Sequence, residues 1–433
     1  MRLLLIANSN AQFGGTCRKA RECRMKVSAH LLGAALACPE MLLARDSYSE
    51  PEAALTFEAA YTAEGWRNVR GGISSDGAFL DNLDLVATLD AGHLGLTATT
   101  LSIAALYNNH ETFSDKVGDL QAVSNIDTDG SLRLYEAWLE HNFDRASVKL
   151  GLMDLNSEFD VNETGSLFIN SSHGIGPDFS QVGENGPSIF PITGLGARVQ
   201  VDLGGRTTLR LGAFEGTPGD PDRPRDTTFH LDDDEGHLFV VQLNRVLTED
   251  SLVALGVWRH TGRVYPMEDA EIAARRHSTG AYALIEGIVT HLDTREVRAF
   301  LRAGVADAQV HQISRYQGAG LTVSGPLFSN GQRDEMVGLA VGAITNGGSF
   351  RRLQRATGSP VNSHEVAIEL TYQVQLTPSL VLQPEIQYIV NPGTDPRLHN
   401  SLVVGLRLTF KSGSLALKVR PSVMREDEYV AVW

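Results

Sequence analysis

Glu136 and Trp138 stand two residues apart in the segment LRLYEAWLEHNF, so an extended strand puts both on one face. A carboxylate acceptor would then lie beside an aromatic platform. Arg198 and Arg210 belong to the two alternating segments that follow a long interruption, and add guanidinium donors. Arg298, Arg302 and Trp258 occur on later segments, with Glu369 and Glu385 beyond them. Groups of these types hydrogen-bond and stack reversibly on a polar solute. Covalent chemistry has no comparable support. The chain has no G-x-S-x-G, no H-E-x-x-H, no P-loop and no dinucleotide-binding glycine pattern. Its carboxylates are plentiful, but no pair stands out as the acid and nucleophile of a glycosidase. The expectation is a protein that is not an enzyme and uses no cofactor and no metal. DTDG at 127–130 lacks the downstream bidentate Glu of a calcium loop, and DDDE at 232–235 reads as a solvated loop.

Each of these residues has a plain structural alternative. An inward Arg can pair with a carboxylate and hold a cross-section open, and Trp138 and Trp258 can be interface-belt aromatics. The interruption itself, about residues 156–187, is rich in Gly, Asn, Ser and Pro and has no period. Structureless loops of that length are uncommon unless they do something. Asn156, Glu158, Phe159, Asp160, Phe168, Asn170 and His173 are its candidates for lining a narrow passage. For Phe159 and Phe168 the favoured role is pinning the loop to a wall, and for His173 a hydrogen-bonded structural one.

The elements that must position these residues are strands. From Leu55 onward the chain is a succession of alternating segments of roughly ten residues separated by turn signals. Sixteen are legible: about 54–62, 79–90, 94–107, 132–143, 146–155, 192–203, 206–215, 237–246, 251–262, 278–291, 295–308, 313–326, 334–345, 364–376, 380–391 and 400–410. Short and long connections alternate between them. One face of each segment is apolar, whereas the other carries Glu136, Lys149, Arg198, Arg210, Arg298, Arg302, Glu369, Glu385 and Arg407. A soluble sandwich would show the same faces, with the charged one in solvent. An even count, short turns on one side and long loops on the other fit an all-β, 16-stranded antiparallel transmembrane barrel with a long inward-folded constriction loop.

Composition agrees. No run of about 18 or more apolar residues follows the N-terminal region, so no transmembrane helix is expected. The net charge of −15 disfavours nucleic acid as a partner. Cys17, Cys23 and Cys38 all precede Arg45, which removes thiolate zinc sites, disulfides and cysteine nucleophiles from the body. Residues 25–44 read as a signal peptide, with a basic start, an apolar centre and small residues before Arg45. Residues 1–24 read as a disordered or non-native leader, 45–410 as the barrel, and 411–433 as an extension beyond its closing strand.

The runs YEAWLEHNF (135–143), LGLMDLNSEF (150–159), LFINSSHGIGPDFS (167–180) and GPSIFPITGLGARV (186–199) resemble the carbohydrate-selective porin family, the OprB-like porins, as does the closing NSLVVGLRLTF. The resemblance covers about 50–410. It implies a 16-stranded barrel in the bacterial outer membrane that lets sugars diffuse into the periplasm. The extension after Phe410 and the leader before Met25 depart from that pattern. The expected partners are mono- or oligosaccharide solutes and outer-membrane lipid, with the chain a monomer or a homotrimer. A sugar channel needs polar groups that replace water, aromatic faces for the pyranose ring, and binding weak enough to release the solute. The rival readings are a general or anion-preferring porin, since Arg198, Arg210, Arg298, Arg302 and Arg407 share the inner face, and a secreted β-rich sugar-binding protein.

Overall fold

Strict alternation builds the wall. In the strand His237–Thr248, Leu238, Val240, Gln242 and Asn244 are buried while Phe239, Val241, Leu243 and Arg245 are exposed. The computed structural model describes residues 55–417, apart from 221–222, 224–225, 229–234, 265–266, 268–275 and 330–332. The expected leader and signal peptide lie outside the described residues.

Sixteen strands form one antiparallel sheet: β1 (Leu55–Arg70), β2 (Gly77–Asp90), β3 (Thr99–Asn108), β4 (Ser131–Asn142), β5 (Ala146–Met153), β6 (Gly194–Gly204), β7 (Thr207–Glu215), β8 (His237–Thr248), β9 (Ser251–Val264), β10 (Arg276–Leu292), β11 (Arg295–Ala306), β12 (Ile313–Ser324), β13 (Glu335–Asn346), β14 (His364–Thr377), β15 (Leu380–Val390) and β16 (Ser401–Lys411). Each pairs with the next, and β1 pairs with β16 from Ala60↔Lys411 to Arg70↔Leu402, which closes the barrel. A three-residue strand, β17 (Leu415–Leu417), continues the line of β16 along the start of β1. Part of the expected extension therefore prolongs the seam, and 418–433 lies outside the described residues.

The outward-facing set is exposed and apolar, including Leu85, Ile103, Leu150, Leu255, Leu301, Leu339 and Leu406. Phe57, Phe143, Phe328 and Phe410 mark the short-turn end, and Phe79, Tyr107 and Phe239 the long-loop end. Two such bands are the arrangement expected of the aromatic girdles of a membrane barrel. No helix among the described residues is long and apolar enough to cross a membrane.

Two boundaries differ from the sequence expectation by more than a couple of residues. β1 runs to Arg70 rather than 62, because its upper half turns Glu64, Trp66 and Asn68 inward and Arg67 outward, the reverse of the usual apolar-out code. β3 starts at Thr99 rather than 94, since Ala91–Leu94 forms a 3-10 turn capped by the Asp90 side chain. The alternation of short and long connections also has exceptions: 71–76 and 307–312, on the long-loop side, are short, and 325–334, on the short-turn side, is longer than either.

Candidate functional site

Residues 154–193 connect β5 to β6 and fold into the barrel, so that Phe159, Phe168 and Phe179 are fully buried. Local chemistry shapes this segment. The Asp154 side chain accepts from Asn156 N at 2.7 Å to start the 3-10 turn Leu155–Ser157. Asn170 does the same for Ser171–His173, accepting from Ser172 N at 3.1 Å. Pro177 opens the helical turn Pro177–Ser180. The Asp154 and Asn170 that read as loop composition are thus caps of short helical turns, and Pro177 is the first residue of one.

The inner wall takes the loop through a hydrophobic core of its own. Phe179 stacks on Trp258 (5.7 Å between centroids) and on Tyr282 (5.5 Å). Phe159 meets Phe214 edge-on at 6.0 Å, and Phe168 meets Phe300 at 6.1 Å. Inward glycines make room for these rings. A Cβ on Gly212 would lie 2.8 Å from the Phe159 ring, and one on Gly338 would lie 2.8 Å from both Leu167 and Phe168. Gly338→Val is therefore expected to push the Leu167–Phe168 turn off the wall at a cost of about 1–3 kcal/mol. A lower temperature for loss of the folded band in heat-modifiability gels would show it, and an unchanged temperature would contradict the close approach.

Charged clamps complete the attachment. Arg302 donates to Asp160 at 2.7 and 3.2 Å and also to Asp178. Arg198 donates to Glu158 at 2.9 Å, to Glu140 at 2.7 Å and to the Ser147 hydroxyl. Lys149 also grips Glu158 while resting 4.1 Å from the centre of the Trp138 ring. Burial alone would raise the Glu158 carboxyl, but the Lys149 and Arg198 charges pull it down to about 2. Burial holds His173 down at about 3, so it is neutral in the folded barrel.

A second device recurs around the wall, in which one inward Glu accepts two loop amides. Glu369 receives Ile169 N at 2.6 Å and Asn170 N at 3.0 Å. Glu286 receives Glu163 N at 3.0 Å and Thr164 N at 2.6 Å. Glu365 receives Leu120 N at 3.0 Å and Gly393 N at 2.6 Å. Glu136 is a one-amide version, receiving Asp154 N at 2.9 Å. Residues 109–130 also turn inward, which sequence reasoning missed. Trp66 stacks on Phe113 at 5.6 Å, Asn125 N donates to Ile169 O, and Arg407 bridges Glu64 and Asn125. The outward-facing Arg67 and inward Trp66 were the available signal for that packing.

The structure brings the named residues together, mostly with one another. Glu136, Trp138, Arg198, Trp258, Arg302, Glu369 and Glu385 point inward but none is more than 5% exposed. Asn156, Glu158, Phe159, Asp160, Phe168, Asn170 and His173 are likewise at most 6% exposed. The expected open platform of Glu136 and Trp138 is closed over, because Lys149 and the loop cover it. Asn156 donates to Phe159 O at 3.1 Å, Asn170 to Gln387 at 3.0 Å, and Gln387 in turn to Glu385 at 3.2 Å. Arg210 and Arg298 remain half-buried. Arg210 donates to Gln200 at 2.7 Å and Glu158 O at 2.6 Å; Arg298 reaches Glu296 at 3.3 Å and Thr164 at 3.5 Å. No group of three or more metal-ligating side chains occurs among the described residues.

A family model described as "Carbohydrate-selective porin, OprB family" matches residues 74–411. Porin B of Pseudomonas aeruginosa is 24% identical over 399 residues, covering 81% of this chain and 86% of that one. The high pH structure of Pseudomonas putida OprB superposes with a TM-score of 0.72 at 20% identity, over 83% of this chain and 94% of that chain. The outer membrane channel DcaP of Acinetobacter baumannii gives 0.51 at 12% identity, over 84% and 99%.

Proposed function

The chain belongs to the OprB family of carbohydrate-selective porins, and from that premise we propose that its wall clamps set the aperture through which sugars diffuse. It is an outer-membrane porin, a barrel whose lumen is narrowed from within. One observation carries the aperture reading: residues 154–193 are held by carboxylates and cations from β4, β5, β6, β10, β11 and β14 at once. A loop fixed from several sides keeps one gap size, and diffusion through a fixed gap needs no catalytic step. The residues named from the sequence then act mainly by positioning. Arg210 and Arg298, the less buried pair, are the side chains to meet the solute. Outer-membrane lipid surrounds the apolar band.

The charge pattern favours neutral solutes over anions. Arg198, Arg302 and Arg407 are each matched by carboxylates: buried Glu158 with half-buried Glu140, buried Asp160 and Asp178, and buried Glu64. Planar-bilayer recording tests this directly. Added glucose or maltose should reduce the ion current reversibly, and Arg210→Ala with Arg298→Ala should raise the half-blocking concentration roughly fivefold, about 1 kcal/mol of hydrogen bonding. Currents indifferent to sugar, with strong anion preference in a salt gradient, would favour the anion-porin reading instead.

A further inference from the structure

A cavity of about 280 Å³ lies at the loop end of the barrel, and none of the clamp side chains lines it. Thr128 and Asp129 reach it from the loop before β4, Arg133 from the top of β4, and Asn185, Phe190 and Pro191 from the returning limb of the constriction loop. Arg133 is buried. Its Nε donates to the Ser131 hydroxyl at 2.6 Å and its Nη1 to Pro191 O at 3.3 Å, while no acceptor among the described residues takes Nη2. Asn185 spends its amino group on Pro218 O at 2.7 Å, so its carbonyl oxygen is left as an acceptor. Asp129 is exposed, and the Phe190 ring sits edge-on to Tyr135 at 6.4 Å.

This lining selects by exclusion. An anion would meet the Asp129 carboxylate, and a cation would meet the Arg133 guanidinium. An apolar ligand would strip water from both without replacing it. A neutral polyol satisfies all of them, since adjacent hydroxyls can accept from Arg133 and donate to Asp129 and Asn185. Its C–H face suits Phe190 and the apolar residues beside it. The volume is just under the usual range for drug-sized ligands, which suits one small ring. We infer that this cavity is a capture subsite for a single neutral pyranose, engaged at the mouth before the solute reaches the constriction. The inference rests on the sugar-channel reading above and adds a second, outer contact to it.

Two measurements test it with the full-length protein in proteoliposomes. In glucose influx, Arg133→Gln and Asn185→Ala should each raise the half-saturating glucose concentration about fivefold, more than they lower maximal flux. An unchanged half-saturating concentration overturns the subsite. Thr128→Cys, made in a chain with Cys17, Cys23 and Cys38 changed to Ser, offers an independent readout, since the sequence has no other cysteine. A thiol reagent added from outside should label it several-fold more slowly in glucose than in inorganic phosphate. Labelling at equal rates overturns the subsite even where a flux variant fails to assemble. If influx through the unmodified channel never saturates and bilayer currents ignore glucose, the sugar reading itself falls. If influx saturates while labelling is indifferent to glucose, only the subsite falls.

Discussion

Arg302→Ala is expected to give a wider and noisier channel whose current sugar blocks less well. Arg302 is buried on β11, donates to both Asp160 and Asp178, and lies 5.4 and 5.3 Å from the ring centres of Tyr282 and Tyr316. Burial keeps the Asp160 and Asp178 carboxyls above their ordinary range even with this guanidinium beside them. Removing it leaves two desolvated acids facing each other, which costs roughly 3–5 kcal/mol when a buried pair is broken. The cheapest relief is for the 160–178 limb to leave the wall and regain water, which enlarges the gap. Single-channel conductance in bilayers measures this. Joining Arg302→Met with Asp160→Asn and Asp178→Asn should restore part of the native conductance, because no charge then remains buried. Native conductance and block in Arg302→Ala would mean that Phe179, stacked on Trp258 and Tyr282, suffices to hold the limb.

The second large effect concerns acid. The Glu158 carboxyl lies below its ordinary value of 4.5, at about 2, through Lys149 and Arg198 acting against burial. A depressed carboxyl contributes stability that is complete above 4.5 and is lost as pH falls toward 2. That contribution is roughly 3 kcal/mol by linkage. His173, held by burial at about 3 against an ordinary 6.5, stays neutral where the unfolded chain would be protonated. It therefore lowers stability as pH falls from 6.5 toward 3. The expected urea-unfolding midpoint in detergent declines gently below 6.5 and steeply below 4.5. Glu158→Gln should abolish the steeper part. It should also lower stability at neutral pH, because Lys149 and Arg198 lose their shared partner. A variant that keeps the steep acid limb would place the responsible carboxylate elsewhere.

Much of the wall is legible in the amino-acid sequence. β8 and β9 follow their segments nearly residue for residue, since strand period and the apolar-out code are local properties of the chain. Facing was legible as well. Glu136 and Trp138 point inward despite the register shift opposite Ala104 and Ala105, which falls just before Glu136. The upper half of β1 was not legible, because Trp66 turns inward to pack a loop rather than outward to lipid.

Within the site, residue types were readable and partnerships were not. Inward Arg and Glu announced themselves by parity, and the loop by its lack of period. That Arg302 would meet Asp160, 142 residues away, and Asp178, 124 residues away, follows from closing the sheet and folding a segment into it. The same closure turned presumed solvent-facing groups into buried clamps. Strand, face and the existence of a loop are local properties of the residues, because alternation acts between neighbours two residues apart. Which side chains water can still reach is a property of the closed fold, because burial inside a barrel depends on what the distant loop covers.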